Sequence, residues 1–411
     1  MTLTRPGLIG SGATIVTLSR RPAWAQGGGR TPTIRVGALI NMSGVYRDVQ
    51  GPTAVACVRQ AVQEITASKS VNVEVVAADF QNKPDIAAAI VREWFDRDGV
   101  DMVVGMGNSA VALAVSGIGR EKNKVIMVSE AATSEVTGRQ CSPNTVHWTY
   151  DSWMLAKSTA TSITKNGGKT WFLMAPNYVL GRSLAQDTAR FVKEAGGTVL
   201  KTASYPFPET TDFSAYLQQA LASGAKVLGL CNSGADTVNG FKQAREFGLS
   251  RTMQLAGMLI QITEVHAVGA EAAQGLQLTE SFYWNLNERT RAFTDRIRPK
   301  IHDSRPNMVQ AGDYAATLHY LKAVADMGAA AAKSDGGAVV ARMKAMPIDD
   351  DCFGKGYVRA DGRKIHPCYL FEVKAPAESK GEWDLYKLVA TTPAEEAFRP
   401  LSEGGCPLVH N

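Results

Sequence analysis

Histidine is scarce in this 411-residue chain: its six copies are scattered, and no H-E-x-x-H pair occurs. Cysteine is equally sparse at six, with no C-x-x-C. Both absences exclude the usual zinc frameworks, so no metal is expected. An excess of one charge is lacking too. The formal net charge is +5, and removing residues 1–25 takes away three arginines and no acid, which lowers it to +2. A near-neutral chain gives no sign of the concentrated basic face that nucleic acid calls for, so no nucleic-acid partner is expected. No run of 18 or more apolar residues occurs, which leaves no helical membrane span.

Residues 1–25 have the form of an export signal. MTLTRPG supplies a charge, LIGSGATIVTL a short apolar segment, and Ala23-Trp24-Ala25 a small-x-small cleavage pattern. Residues 26–33 form a Gly-rich flexible leader. Export makes disulfides admissible. Cys352 and Cys368 bracket the turn signal Asp361-Gly362 and are expected to face each other across a hairpin. Cys141 and Cys406, both in loop-like sequence near proline, are expected to form a second pair. Cys57 and Cys231 lie in apolar segments and read as buried free thiols.

The body of the chain alternates short apolar runs with helical periodicity. Strands are predicted over 34–40, 71–77, 100–104 and 125–128, with helices over 51–67, 85–95 and 108–119 between them. The alternation restarts after residue 151, with strands over 170–174, 198–203, 227–230 and 253–256. Such alternation implies parallel sheet and right-handed crossovers. The fold class is therefore α/β, with two doubly wound parallel-sheet lobes. Helices over 290–301 and 309–327 return to the first lobe, and strands over 357–359, 368–373 and 383–389 form an antiparallel addition.

The stretch KVIMVSEAATSEVTG, residues 124–138, carries the first hint of function. A buried strand stops in small, hydroxylated residues, and open α/β sheets bind ligands beyond the carboxyl ends of their strands. Such a loop suits a polar group, an anion above all.

Seven segments together give the chain its likeness: IRVGALINMSG, GNSAVALAV, SEAATSEVTG, GFKQAREFGL, SFYWNLNERTRAF, PNMVQAGDYAATLHYLKAV and YLFEVKAPAESKGEWDLYKLVA. In their order the chain resembles the type I periplasmic binding proteins, the leucine/isoleucine/valine-binding family. The last three resemble the subgroup that takes up aromatic carboxylates. The resemblance implies two lobes joined by three crossovers, 34–148 with 281–347 and 149–280 with 348–392, followed by a tail over 393–411. It further implies a periplasmic solute-binding protein that closes over a small ligand and delivers it to the membrane permease of an ABC importer. No cofactor and no enzymatic activity are expected.

Carried over by the resemblance, Asn108, Ser109, Ala110, Ala131, Ala132 and Thr133 hold a ligand carboxylate through hydroxyls and backbone N–H groups. Ser109 also reads as a plain helix cap. Tyr46 and Arg47 follow the first strand and offer a ring and a charge, although Arg47 equally reads as a solvated loop residue. The second lobe offers Asn177, Tyr178, Asn232, Ser233 and Asp236, and the crossover offers Tyr283 and Trp284, whose bland reading is core. One departure stands out. Amino-acid binders of this family carry an acid where this chain has Leu259, and a buried ammonium without a carboxylate is costly. Leu259 therefore suits an apolar carboxylate.

Two other classes compete. Gly105-Met106-Gly107-Asn108-Ser109-Ala110 fits G-x-G-x-x-A, and Glu130 ends the next strand, as in a dinucleotide-dependent enzyme. The motif follows the third strand of the chain, and an exported protein makes poor use of a soluble nicotinamide. A ligand-sensing domain of the same fold, uncoupled from transport, would share the site itself. A hydrolase is disfavoured, because Ser109 lacks the second glycine of G-x-S-x-G.

Overall fold

The computed structural model describes residues 32–409. The expected export signal and most of the leader lie outside the described residues. Strand β1 (Ile34–Ile40) pairs in parallel with β2 (Val73–Asp79) and β3 (Met102–Gly105), which leads on to β4 (Val125–Val128) and β5 (Thr145–His147). The order is β2-β1-β3-β4-β5. Every residue of β3 and β4 is buried, since helices cover both faces. Edge strand β2 is only half-buried.

The second lobe repeats the plan with β6 (Thr170–Pro176), β7 (Thr198–Tyr205), β8 (Val227–Leu230) and β9 (Gln254–Gly257), in the order β7-β6-β8-β9. Each sheet therefore reverses direction beside its first strand. A crevice opens at such a switch point, between β1 and β3 in one lobe and between β6 and β8 in the other. Beside the second sheet lies an antiparallel one, in which β10 (Gln277–Glu280) pairs with β14 (Cys368–Val373) and β14 with β15 (Tyr386–Thr392).

Local chemistry sets the helix starts. Helix α1 (Gly51–Ser68) and helix α2 (Pro84–Asp96) carry proline in the first turn, where its missing N–H costs nothing. Helix α3 (Ser109–Lys122) is capped by Asn108, whose side-chain oxygen accepts the N–H groups of Ala110 at 2.8 Å and Val111 at 3.2 Å. The 20-residue helix Met308–Met327 is buried along nearly its whole length against α1. The helix predicted over 290–301 ends at Ile297, because Pro299 breaks it into a 3₁₀ turn.

The segment expected wholly in the second lobe, 348–392, divides between the two. Strands β11 (Ile348–Asp350), β12 (Gly354–Val358) and β13 (Lys364–Ile365) form their own sheet, joined to β5 of the first lobe by the His147–Arg363 bridge. This division also undoes one expected disulfide. Cys352 lies in the turn between β11 and β12, while Cys368 begins β14 opposite Thr392, in another sheet. Both are separate buried thiols, as are Cys57 and Cys231.

Cys141 and Cys406 are joined, with Cα atoms 5.6 Å apart and a sequence separation of 265. The bond anchors the tail to the first lobe. From there the tail reaches the second, where Glu403 pairs with Arg190 at 2.8 Å. A cross-link over so long a loop removes much freedom from the unfolded chain. Cys406→Ser is expected to cost about 2–4 kcal/mol, read as a lower urea midpoint. Reduction of the native protein should produce the same shift.

Candidate functional site: the cleft between the lobes

The two switch points face each other, and a cleft between them is lined from both sides. The first lobe contributes Tyr46, Val49, Gln50, Gly107, Ser109, Glu130 and Ala132, with Tyr150 from the first crossover and Val309 from the long helix. Across from them stand Leu180, Ser233, Leu259 and Gln261. The space between the lobes is narrow and holds little more than one water molecule.

Contacts across the cleft are specific. The Tyr46 and Tyr178 hydroxyls bond each other, and the Thr133 hydroxyl meets the Ser183 hydroxyl at 2.9 Å. Tyr178 stacks on Phe207 with ring centroids 4.6 Å apart, which fixes its direction. Burial pushes both tyrosine hydroxyls above their usual range, so both stay protonated. Gly234 holds φ +69° at the start of the helix Ala235–Glu246, and a Cβ there would lie 2.3 Å from the Val45 carbonyl oxygen of the opposite lobe. Gly107 is equally constrained, because a Cβ on it would fall 1.6 Å from Nε2 of Gln50.

The expected site residues divide into three groups. Ser109, Ala132, Leu259, Tyr46 and Ser233 line the cleft. The Ser109 hydroxyl accepts the Thr133 N–H at 3.3 Å and keeps its own hydrogen for the space in front of it. A second group supports the walls. Asn108 caps its helix and donates to Asn82 at 2.7 Å, and Ala110 and Ala131 adjoin the lining residues Ser109 and Ala132. The Ala131 carbonyl accepts from Nε2 of His147 at 2.8 Å, which sets the tautomer of that neutral, buried ring. Thr133 and Tyr178 spend their hydroxyls on the contacts between lobes. Asn232 donates to Tyr205 at 3.1 Å, and the Tyr205 hydroxyl donates to Asp236 at 2.7 Å. Burial raises the Asp236 carboxyl to about 6.

The third group lies elsewhere. Arg47 is exposed and reaches only toward Asp48, at 3.9 Å. Tyr283 belongs to the second lobe's core, and Trp284 faces a surface groove with Arg305 stacked 4.9 Å from its ring centre. Their partner is the Trp383 carbonyl, which accepts from Nε1 of Trp284 at 2.8 Å. Core packing thus claims the Tyr283 ring, and the surface groove claims that of Trp284.

Sequence reasoning missed Gln50, Tyr150, Leu180, Gln261 and Val309 as lining residues, and read Glu130 only as the acid of a dinucleotide motif. Gln261 is fully buried and neither end of its amide has a partner. Glu264 supports that wall. It accepts the Gly234 N–H at 2.5 Å and the Gln261 N–H at 2.9 Å, and burial raises it to about 8. Glu130 sits at the end of β4, 2% exposed, with its carboxyl on the cleft. Tyr150 donates to the Glu130 carbonyl at 2.5 Å.

Comparisons with known proteins agree with this architecture. The family model described as periplasmic binding protein matches residues 33–382. A periplasmic binding protein of Burkholderia mallei is 44% identical, with 92% of this chain and 99% of that one covered and a TM-score of 0.87. A branched chain amino acid ABC transporter periplasmic ligand-binding protein of Burkholderia xenovorans is 38% identical, with 91% and 99% covered and a TM-score of 0.79. An ABC transporter solute binding protein of R. palustris, in complex with benzoate, shares the fold at 19% identity, with 92% and 100% covered and a TM-score of 0.80. Curated Leu/Ile/Val-binding protein homologues of Brucella match at 28% identity over 237 residues, and the match spans 59% of their length. No described helix is long and apolar enough to cross a membrane. With two parallel-sheet lobes meeting at a shared cleft, the chain belongs to the periplasmic binding protein family, type I.

Proposed function

We propose that this protein captures a small aromatic or similarly apolar monocarboxylate between its lobes by hinge closure, and delivers it to the membrane permease of an ABC importer. The observation that carries the reading is Leu259. It lies 2% exposed on the second-lobe wall, with Leu180 beside it and Val49 and Val309 opposite. That wall offers a ligand ammonium no carboxylate, and an unpaired buried ammonium would be expelled. Ser109 and the Gln261 amide supply donors for a carboxylate, while Tyr46 and Tyr150 supply ring faces. The cleft is too tight for such a ligand to enter as it stands, so the lobes must part first. Hinge motion of two packed lobes is a known way to do this.

A second reading has one observation in its favour. The Glu130 carboxyl on the first-lobe side has no cation partner, and an amino acid's ammonium would supply one. A thermal-shift screen separates the two. A ligand that binds only the native state raises its stability by RT ln(1 + [L]/Kd). Benzoate and related acids are expected to raise the melting temperature, with leucine and phenylalanine inert. Ser109→Ala should weaken benzoate binding by about 1–2 kcal/mol, the scale of a hydrogen bond to a charged group. Stabilisation by leucine alone would reverse the assignment.

A further inference from the structure

Two buried carboxyls meet beneath the cleft. The Glu130 oxygens make no full hydrogen bond and have only the Gly107 N–H turned toward them, although the side chain is almost wholly buried and lines the cavity. Asp313, fully buried in the helix Met308–Met327, takes the Ser129 hydroxyl on Oδ1 at 2.5 Å and has no donor on Oδ2. The two carboxyls lie within hydrogen-bonding reach of each other. Two ionised carboxylates are both acceptors, so that contact becomes a bond only with a proton on one of them. Burial and the neighbouring charge raise Glu130 well above its usual range, and burial likewise raises Asp313.

Among the described residues, the groups that face the pair supply no compensating positive charge. Cys57 of α1 feels the Asp313 charge, and Tyr150 of the first crossover feels both acids. Glu264 and Tyr178 of the second lobe face Tyr150, and Tyr46 and Gln50 close the front of the cleft. None of these is a cation. An anionic ligand beside Ser109 would meet Glu130 at the next position along the wall. Ionised, Glu130 would repel it; protonated, it offers one more donor.

We propose that Glu130 determines specificity by presenting a neutral carboxylic acid to the cleft: the proton it shares with Asp313 in the ligand-free protein turns to the ligand's carboxylate on binding, and Asp313 keeps the Ser129 hydroxyl. The ligand anion is then bound together with one proton. This inference rests on the carboxylate reading above and adds a pH dependence that the reading alone does not require. Binding needs the protonated acid, so affinity is full at low pH and declines once the pair loses its proton.

The test measures benzoate and hexanoate affinity by calorimetry from pH 6 to 9, with the native protein and Glu130→Gln. For the native protein, Kd is expected to rise toward tenfold per pH unit on the alkaline limb. Glu130→Gln keeps a permanent N–H donor that does not titrate, so its profile should be flat across this range. A flat native profile, or a native-like slope in Glu130→Gln, would overturn the inference while leaving the aromatic-acid reading intact. The reverse failure is also visible: hexanoate binding with the falling profile, and no benzoate binding, would sustain the inference and remove the aromatic preference. Affinity for leucine that grows with pH and vanishes in Glu130→Gln would mark an ammonium partner and overturn both, as would no carboxylate binding at any pH. Infrared spectroscopy of the ligand-free protein at pH 7 gives an independent readout. The carbonyl band of a protonated carboxylic acid should be present and should diminish in Glu130→Gln; its absence from the native protein would overturn the proposal. Should Glu130→Gln fold poorly, Asp313→Asn replaces it: without the neighbouring charge, the decline in affinity should begin at lower pH, and an unmoved profile counts against the pair.

Discussion

Arg363→Ala is expected to destabilise the protein by about 3–5 kcal/mol, the cost of breaking a fully buried charged cluster. Arg363 is completely buried between the lobes' connections. Its guanidinium donates to the carbonyls of Trp148 at 2.8 Å, Tyr150 at 3.0 Å and Lys364 at 3.0 Å, and lies 4.2 Å over the Phe398 ring. It also stands 3.8 Å from the Asp151 carboxylate. Burial lowers its pKa to about 10, which still leaves it charged at neutral pH. Alanine would strand those carbonyls and leave Asp151 without its cation in a dry site. Because Trp148 and Tyr150 follow β5 on the way to the second lobe, that connection would lose a fastening as well. Arg363→Lys should recover only part of the loss, since an ammonium lacks the planar fork that reaches several carbonyls at once. Urea unfolding reads the effect, and a loss below about 1 kcal/mol would show that the cluster tolerates collapse.

Gly234→Val should impair function most. The residue's backbone lies in a region open to glycine, and the added side chain would strike Val45 and Tyr46 across the cleft. The strain within the second lobe costs about 1–3 kcal/mol and appears as a modest fall in melting temperature. The clash between lobes exists only when they are together. Apparent affinity falls with the fraction of molecules able to close, so benzoate binding should weaken on the order of a hundredfold. X-ray scattering should show no contraction of the variant on adding benzoate. Native affinity in Gly234→Val would mean that binding does not need this approach of the lobes.

The parallel strands were legible because their residues are buried on both faces and form unbroken apolar runs, as in Val125–Val128. Short and marginal elements were not. β5 has three residues, and its place depends on pairing with β4 and on the bridge to Arg363, neither of which is a local signal. Ser109, Ala132 and Leu259 were legible as cleft-lining residues because each comes just after the carboxyl end of a parallel strand, β3, β4 and β9 respectively. Gln50, Tyr150 and Val309 reach the same cleft from a helix start, a crossover and a distant helix, and only the closed fold brings them together. Tyr283 and Trp284 misled for the converse reason: an aromatic pair at a crossover serves a core as well as a ligand. Cys352 and Cys368 misled because the turn between them closes β12 on β13, before Cys368 is reached.

Calorimetry of the purified protein with benzoate and with leucine at pH 6.5 tests the central claim most directly. Saturable binding of benzoate at one site per chain, with no heat from leucine, is the predicted result. Tight binding of leucine, with none of benzoate or any other aromatic acid, would contradict the account and leave the fold without its proposed cargo.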